Sequence, residues 1–500
     1  MVRVLVPPGR WPATQSEPSQ QTLPDAWVRH WASAPERPVL VEGRAPSRGV
    51  DGAGLDEVTR RAAAALLARG VAPGDRVLWA ASARVASIAA LLGVVRAGAV
   101  LVPVNPSSSE AELAHVVADA SPVAALFDAP ERRERLGVPA LGVDELVTQE
   151  GALATARLPV LRTGDDALIV YTSGTTGKPK GAVHTHASLR SGVQALHRAW
   201  DWRPDDRLIL ALPLYHVHGL CAGLFAALAA GSSAVIFERF DEASVLGAAP
   251  SSTLFFGVPT MYHRLAASGR AQELAMLRVC VSGSAPLAPD LWARLYDEGV
   301  SVLERYGMSE TLLTLSNPLQ GERRPGSVGR PLPGVEAAID DMDEHGVGEL
   351  VVRSDSLFRG YWGRAGTETD AEGWFATGDL ASVSDDGYVR IEGRRTDLIV
   401  TGGHNVYPAE VEAVLARHPG VSEVAVVGLP SAEWGEIVVA FVVGDPDLDA
   451  LAALAGRELA PYKRPRELRV VDGLPRNPMG KVVRAALRDE PGEGGTPGVA

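Results

Sequence analysis

Cysteine is nearly missing: Cys221 and Cys280 are the only two in 500 residues, too few for a disulfide framework and without the C-x-x-C spacing of a metal or redox site. That usage fits a reducing, cytoplasmic setting. A basic excess is missing as well, since 61 acidic residues against 48 lysines and arginines give a formal charge of −13. Such a surface repels phosphate backbones and anionic headgroups, which argues against nucleic acid and against membrane insertion. No apolar run is both long and unbroken. Residues 208–237 come nearest, but Pro213, His216, His218 and the Gly231-Ser232-Ser233 turn interrupt them, and a buried helix and strand are expected there. The opening residues hold Pro, Ser and Gln with no basic start followed by an apolar segment, so residues 1–25 read as a flexible leader and not as a signal peptide. Neither a solenoid-like repeat nor a carrier domain is recognisable.

What is present is a chain too long for one hydrophobic core, so two or three lobes are expected. Strand-like runs at 76–80 and 99–104 alternate with Ala-rich helical stretches such as 58–67, the rhythm of an α/β protein of layered β-sheets and helices. Gly393-Arg394-Arg395-Thr396-Asp397 then opens a smaller set of strands and helices. The expected organisation is a large N-terminal domain over residues 26–394, a small mobile α+β C-terminal domain over 395–488, and a disordered tail over 489–500, where Gly, Pro and Glu dominate.

The most informative stretch is Tyr171-Thr172-Ser173-Gly174-Thr175-Thr176-Gly177-Lys178-Pro179-Lys180-Gly181, which follows the strand-like Ala167-Leu168-Ile169-Val170. Glycines let backbone N–H groups approach phosphate oxygens, hydroxyls add donors and lysines neutralise charge, which together make an anion cradle. The spacing is not Gly-x-x-x-x-Gly-Lys-Ser/Thr, so an ordinary P-loop NTPase is disfavoured. Further motifs follow in order: Leu212-Pro213-Leu214-Tyr215-His216-Val217-His218-Gly219, Tyr306-Gly307-Met308-Ser309-Glu310-Thr311, Thr377-Gly378-Asp379-Leu380, Gly393-Arg394 and Asn477-Pro478-Met479-Gly480-Lys481.

These stretches, spread over residues 30–488, resemble the adenylate-forming superfamily of acyl-CoA synthetases, adenylation domains and luciferases. The resemblance implies a small domain that rotates between two half-reactions, with ATP, Mg²⁺ and coenzyme A as reactants and cofactor. It implies that Thr172, Ser173, Gly174, Thr175, Thr176 and Lys180 close over the β- and γ-phosphates, and that Glu310 and Thr176 hold Mg²⁺ beside the reacting phosphate. Ser284-Ala285-Pro286 and Glu304-Arg305-Tyr306-Gly307-Met308-Ser309 are implied on the nucleotide side, with Tyr306 as the adenine stacking face. Asp379, an acceptor-only carboxylate suited to a diol, and Arg394 are implied at the ribose. Lys481 is the implied catalytic cation, able to reach both the carboxylate and the α-phosphate as charge develops. His216 falls where the family places a ring at the carboxylate end of the acyl pocket. Gly402-Gly403-His404 is implied at the coenzyme A tunnel, and Thr396 stands at the hinge position, where Asp or Lys is usual.

Arg264, in Phe256-Gly257-Val258-Pro259-Thr260-Met261-Tyr262-His263-Arg264-Leu265, is the expected clamp for a second carboxylate of the acid, with Ser282 adding a hydroxyl. This arrangement resembles the malonyl-CoA synthetase subgroup, and malonate or a 2-substituted malonate is the implied acid. The alternatives are a medium-chain or aromatic monoacid ligase, an adenylating enzyme that hands its acyl group to a carrier-protein thiol, and a nucleotide-binding scaffold without chemistry.

Overall fold

Near-continuous apolar runs such as Leu254–Gly257 and Ala124–Phe127 are buried along their whole length, as strands covered on both faces must be. The computed structural model describes residues 2–9, 11, 21–128, 137–148, 157–172, 179–364, 368–431, 433–476, 482–488 and 496–497. It is a layered α/β protein. A nine-stranded sheet carries the parallel strands Pro38–Glu42, Ser233–Ile236, Arg207–Leu210, Leu254–Gly257, Val279–Ser282 and Val302–Met308. A seven-stranded sheet is built around Asp166–Thr172, Val100–Pro103, Arg76–Ala80 and Ala124–Phe127.

One core joins the facing sides of these two sheets through shared helices. Val77, Trp79 and Leu101 from one sheet and Leu210, Phe256, Val281 and Leu303 from the other pack on helices Gly52–Ala68, Val85–Arg96 and His186–Ala199. The helix Val85–Arg96 is apolar on every side because it is buried on every side. Separate cores cover the outer face of each sheet. Within residues 208–237 the expected buried helix is a π-helix, His218–Phe225, running into Ala226–Ala229, followed by the strand Ser233–Ile236. A Cβ at Gly219 would lie 2.3 Å from the Pro213 carbonyl oxygen, so only glycine fits that entry. Among the described residues no helix is long and apolar enough to cross a membrane.

A five-stranded antiparallel sheet follows, ending in Phe375–Val383 and Val389–Arg394. It takes in the first residues of the stretch expected as a flexible leader. Arg3–Leu5 adds an edge strand against Val335–Asp340, and Arg3 reaches Asp340 at 2.8 Å, Asp370 at 3.1 Å and the Trp374 ring at 4.7 Å. The next helix begins at Leu23, where Thr22 and Asp25 close a capping box. Sheet membership changes between Arg394 and Ile399, across the turn Arg395–Asp397 that contains Thr396. Beyond it a six-stranded sheet with helices Pro408–Leu415 and Leu448–Glu458 has its own core. Of the expected disordered tail, Thr496–Pro497 pairs with Glu467–Val470 and the rest lies outside the described residues.

Candidate active site

The stretch expected as an anion cradle is flanked by two antiparallel strands, Asp166–Thr172 and Lys180–Thr185, whose last ladder pair is Thr172 with Lys180. Ser173, Gly174, Thr175 and Thr176 lie outside the described residues. Lys180 places its ammonium 5.1 Å from the centre of the Tyr361 ring, and the Tyr361 hydroxyl donates to Glu310 Oε1 at 2.8 Å. Tyr361 therefore links the phosphate strand to the proposed metal carboxylate. Its own proton is held tightly, because burial and the Glu310 charge both push the phenol upward. Among the described residues no three His, Cys, Asp or Glu side chains cluster as metal ligands. A single buried carboxylate, Glu310, 5% exposed, still fits Mg²⁺, which keeps several waters and is commonly held by one or two carboxylates plus substrate phosphates.

On the sugar side, Asp379 and Arg394 are direct partners on neighbouring strands, 2.6 Å apart, and the Tyr306 hydroxyl donates to the same carboxylate. The three residues expected around the ribose and base are thus together. Gly307 has no alternative, since a Cβ there would lie 1.9 Å from the Leu312 carbonyl oxygen. The Ser309 carbonyl accepts from His184 Nε2 at 2.7 Å, which anchors the Met308-Ser309-Glu310 turn. Ser284, before Ala285 and Pro286, sits at φ 73°, a left-handed conformation uncommon outside glycine. Glu304, expected on the nucleotide side, is buried, and its two oxygens accept from the backbone N–H of Leu287 at 3.3 Å and Gly326 at 2.8 Å. It pins the 284–287 loop, and burial pushes it up to about 7.

The acid end brings the main correction. Arg264 stands on the outer face of the helix Pro259–Ala267, 55% exposed, with Nη2 donating to Glu242 at 2.9 Å and its guanidinium over Phe240. It lines no buried acid pocket. Tyr262, Leu265 and Ala266 take the inward positions, and their i, i+3, i+4 spacing leaves Arg264 outside.

Arg305 is the cation that is inside. It lies two residues beyond Leu303 on the same strand and so faces the shared helical core. Its guanidinium packs where a Cβ on Gly283 would meet it at 2.4 Å. Arg305 is 5% exposed, Nε and Nη2 have no hydrogen-bond partner among the described residues, and burial pushes its pKa down to about 9. His218 stacks on Phe256 with 6.2 Å between ring centres, and neither ring nitrogen has a partner among the described residues. Its basicity is depressed by burial first and then by the nearby Arg305 and His216. The hydroxyls of Ser282 and Thr314, 1% and 0% exposed, are also unpartnered among the described residues. His216 meets Tyr215 edge-on at 4.5 Å. Buried polar groups are normally satisfied, so an unsatisfied guanidinium with the unsatisfied His218 ring nearby marks space for a polar ligand.

The segment expected at coenzyme A is a tight hairpin. Gly402 and Gly403, both at positive φ, connect Ile399–Thr401 to His404–Val406, as a two-residue turn of this kind requires. The His404 ring stacks on Tyr462 at 4.5 Å. Lys481 lies outside the described residues; the chain on either side of it is joined by a bridge between Arg476 and Val482.

The family described as AMP-binding enzyme matches residues 27–362, and its C-terminal domain family matches 410–481. This chain is an AMP-binding enzyme. It is 36% identical over 482 residues to a malonate–CoA ligase of Arabidopsis thaliana, covering 83% of this chain and 78% of that protein. It is 35% identical over 467 residues to the long-chain-fatty-acid–CoA ligase FadD13 of Mycobacterium tuberculosis, covering 87% and 92%. The ATP-bound structure of MatB from Rhodopseudomonas palustris overlays with a TM-score of 0.88 at 35% identity, covering 94% of this chain and 99% of that one. The AMP-binding enzyme described here is an ATP-dependent, AMP-forming acyl-CoA synthetase.

Motif reading passes over Tyr361 and places Arg305 on the nucleotide side of this AMP-binding enzyme; the spatial surroundings set both residues apart. Lysine use carries a signal that was legible: the chain has four lysines, Lys178, Lys180, Lys463 and Lys481, against 44 arginines. Three of the four fall in the motifs, and the fourth, Lys463, holds Glu410 with both oxygens at 2.7 and 2.8 Å beside the Tyr462–His404 stack.

Proposed function

We propose that this AMP-binding enzyme activates a short dicarboxylic acid, malonate or a 2-substituted malonate, and transfers it to coenzyme A. The carrying observation is Arg305, a buried guanidinium without an anionic partner among the described residues. One carboxylate of the substrate is consumed at the α-phosphate, so only a diacid brings a second to Arg305. Bidentate carboxylate pairing suits a guanidinium, with His218 nearby and available to a remaining lone pair. Identity by itself does not choose the acid, because the malonate and long-chain relatives are nearly equally similar.

In the first half-reaction a substrate carboxylate oxygen attacks the α-phosphorus of ATP, the bond to the β-phosphate breaks and pyrophosphate leaves. Thr172, Lys180 and the residues between them hold the departing phosphates, and Asp379 and Arg394 hold the ribose. Mg²⁺ at Glu310 and Thr176 would supply charge neutralisation at the phosphates. Lys481 stabilises the negative charge that builds between carboxylate and phosphate. In the second half-reaction the small domain, turning about Thr396, brings Gly402-Gly403-His404 to the thiol of coenzyme A. The sulfur attacks the acyl carbon and AMP departs. A carrier-protein thiol is the alternative acceptor, and the cytoplasm is the proposed setting.

The test is pyrophosphate and AMP formation with malonate, methylmalonate, acetate, octanoate and benzoate in parallel, with the thioester identified by mass. Preference for the two diacids is expected. Preference for any monoacid refutes the Arg305 reading and leaves the ligase chemistry standing.

A further inference from the structure

The helix Glu110–Ala120 belongs to none of the motifs, yet it holds both sides of the phosphate loop. On the incoming strand, the Tyr171 hydroxyl donates to Asp119 Oδ2 at 2.6 Å. On the outgoing side, His115 Nε2 lies 2.9 Å from the Pro179 carbonyl oxygen, which can only accept, so Nε2 carries the proton. A third tie comes from Trp362: its backbone N–H donates to the Gly181 carbonyl at 2.8 Å and its indole N–H to the Asp119 carbonyl at 3.2 Å. Tyr171 and Gly181 are ladder partners, and a Cβ on Gly181 would meet Tyr171 Cζ at 3.2 Å and Trp362 Cβ at 3.4 Å. The same Cβ would lie 2.6 Å from Ile169 Cγ2, so the position has no room for a side chain. The helix is itself firmly seated, with a Ser109–Glu112 capping box and Leu113, Val116 and Ala120 buried beneath it.

Placing phosphate donors to within about 1 Å decides rate. We propose that His115 and Asp119 are positioning residues that set the separation and aim of the two strands carrying the phosphate loop, and through them the grip on the ATP polyphosphate. This rests on the reading of residues 172–180 as the phosphate-binding segment.

His115→Ala and Asp119→Ala are compared with His115→Gln, which keeps a donor, and Asp119→Asn, which keeps an acceptor. The two alanine variants should raise the KM for ATP in pyrophosphate formation about tenfold, as loss of a hydrogen bond at a strategic position allows, and weaken ATP binding in titration calorimetry to match. Thioester formation from supplied acyl-adenylate and coenzyme A, which involves no polyphosphate, should stay within about twofold of wild type. The Gln and Asn variants should recover most of the ATP affinity. An unchanged KM for ATP in the alanine variants, or equal losses in both half-reactions, overturns the proposal. Lys180→Ala separates the two readings: if it leaves ATP binding intact, the phosphate-loop assignment itself fails, whatever His115 and Asp119 do.

Discussion

Replacing Arg305 by leucine should impair the enzyme and stabilise the protein at once. Burial pushes the guanidinium down from its ordinary value to about 9. At about 1.4 kcal/mol per pH unit, the charged form carries a desolvation penalty of about 5 kcal/mol. At neutral pH the group nevertheless remains charged, and the free enzyme holds that cost uncompensated. A bound diacid offsets it by a bidentate ion pair. Removing one partner of a buried charge pair typically costs about 3–5 kcal/mol, so kcat/KM for malonate should fall by roughly 10²–10⁴ in Arg305→Leu. The same change removes an unpaired charge from the interior, and folding stability should rise by about 1–3 kcal/mol. Malonate-dependent pyrophosphate release and denaturant melts read the two effects separately, with Arg305→Lys as the control that keeps charge without the fork. Malonate activity within about threefold of wild type, or a loss of stability, would show that Arg305 has another partner and that the reasoning is wrong.

Arg264→Leu removes only an exposed pair with Glu242, so stability should change by less than about 1 kcal/mol and malonate turnover hardly at all; a large loss of turnover restores Arg264 as the acid clamp. Tyr361→Phe deletes the donor to Glu310 while keeping the ring under Lys180, and adenylation should slow about tenfold with transfer from supplied adenylate intact. Equal slowing of both steps refutes that. Lys481→Ala should abolish adenylation and spare transfer, and an adenylation rate within about tenfold of wild type excludes the assigned role. Acid should unfold the protein steeply. His184, His186 and His197 are pushed down to about 4 by burial and His218 further below its ordinary 6.5, so below pH 6.5 the unfolded chain binds protons that the native one refuses. Glu304, pushed up to about 7, opposes them by taking its proton in the native state first. Burial also lowers His30 and raises Asp166, so five histidines against two acids leave a net of about three protons, a loss of about 4 kcal/mol per pH unit near pH 5. Denaturant midpoints that stay level from pH 6.5 to 4.5 contradict this.

The sequence by itself determined the chemistry of the backbone-defined parts. The expectations of an anion cradle, a diol acceptor and a reach-in cation come from residue order, and the structure brings Lys180 and Glu310 to opposite sides of Tyr361 and puts Tyr306 and Arg394 in contact with Asp379. The alternating strands and helices were equally legible, because apolar period follows from which faces are covered. Tertiary structure alone decided which cation is buried. Arg264 and Arg305 are alike in local composition, and what separates them is the face of a helix and the face of a strand, together with the core each meets. Even the inward 262, 265, 266 spacing describes a side, not what packs against it. The amino terminus makes the same point: Arg3 is ordered by Asp340 and Asp370, partners more than three hundred residues away. Local pattern reports what a side chain is able to do, but desolvation, and with it the strength of every charge in the site, is a sum over neighbours that only the folded chain assembles.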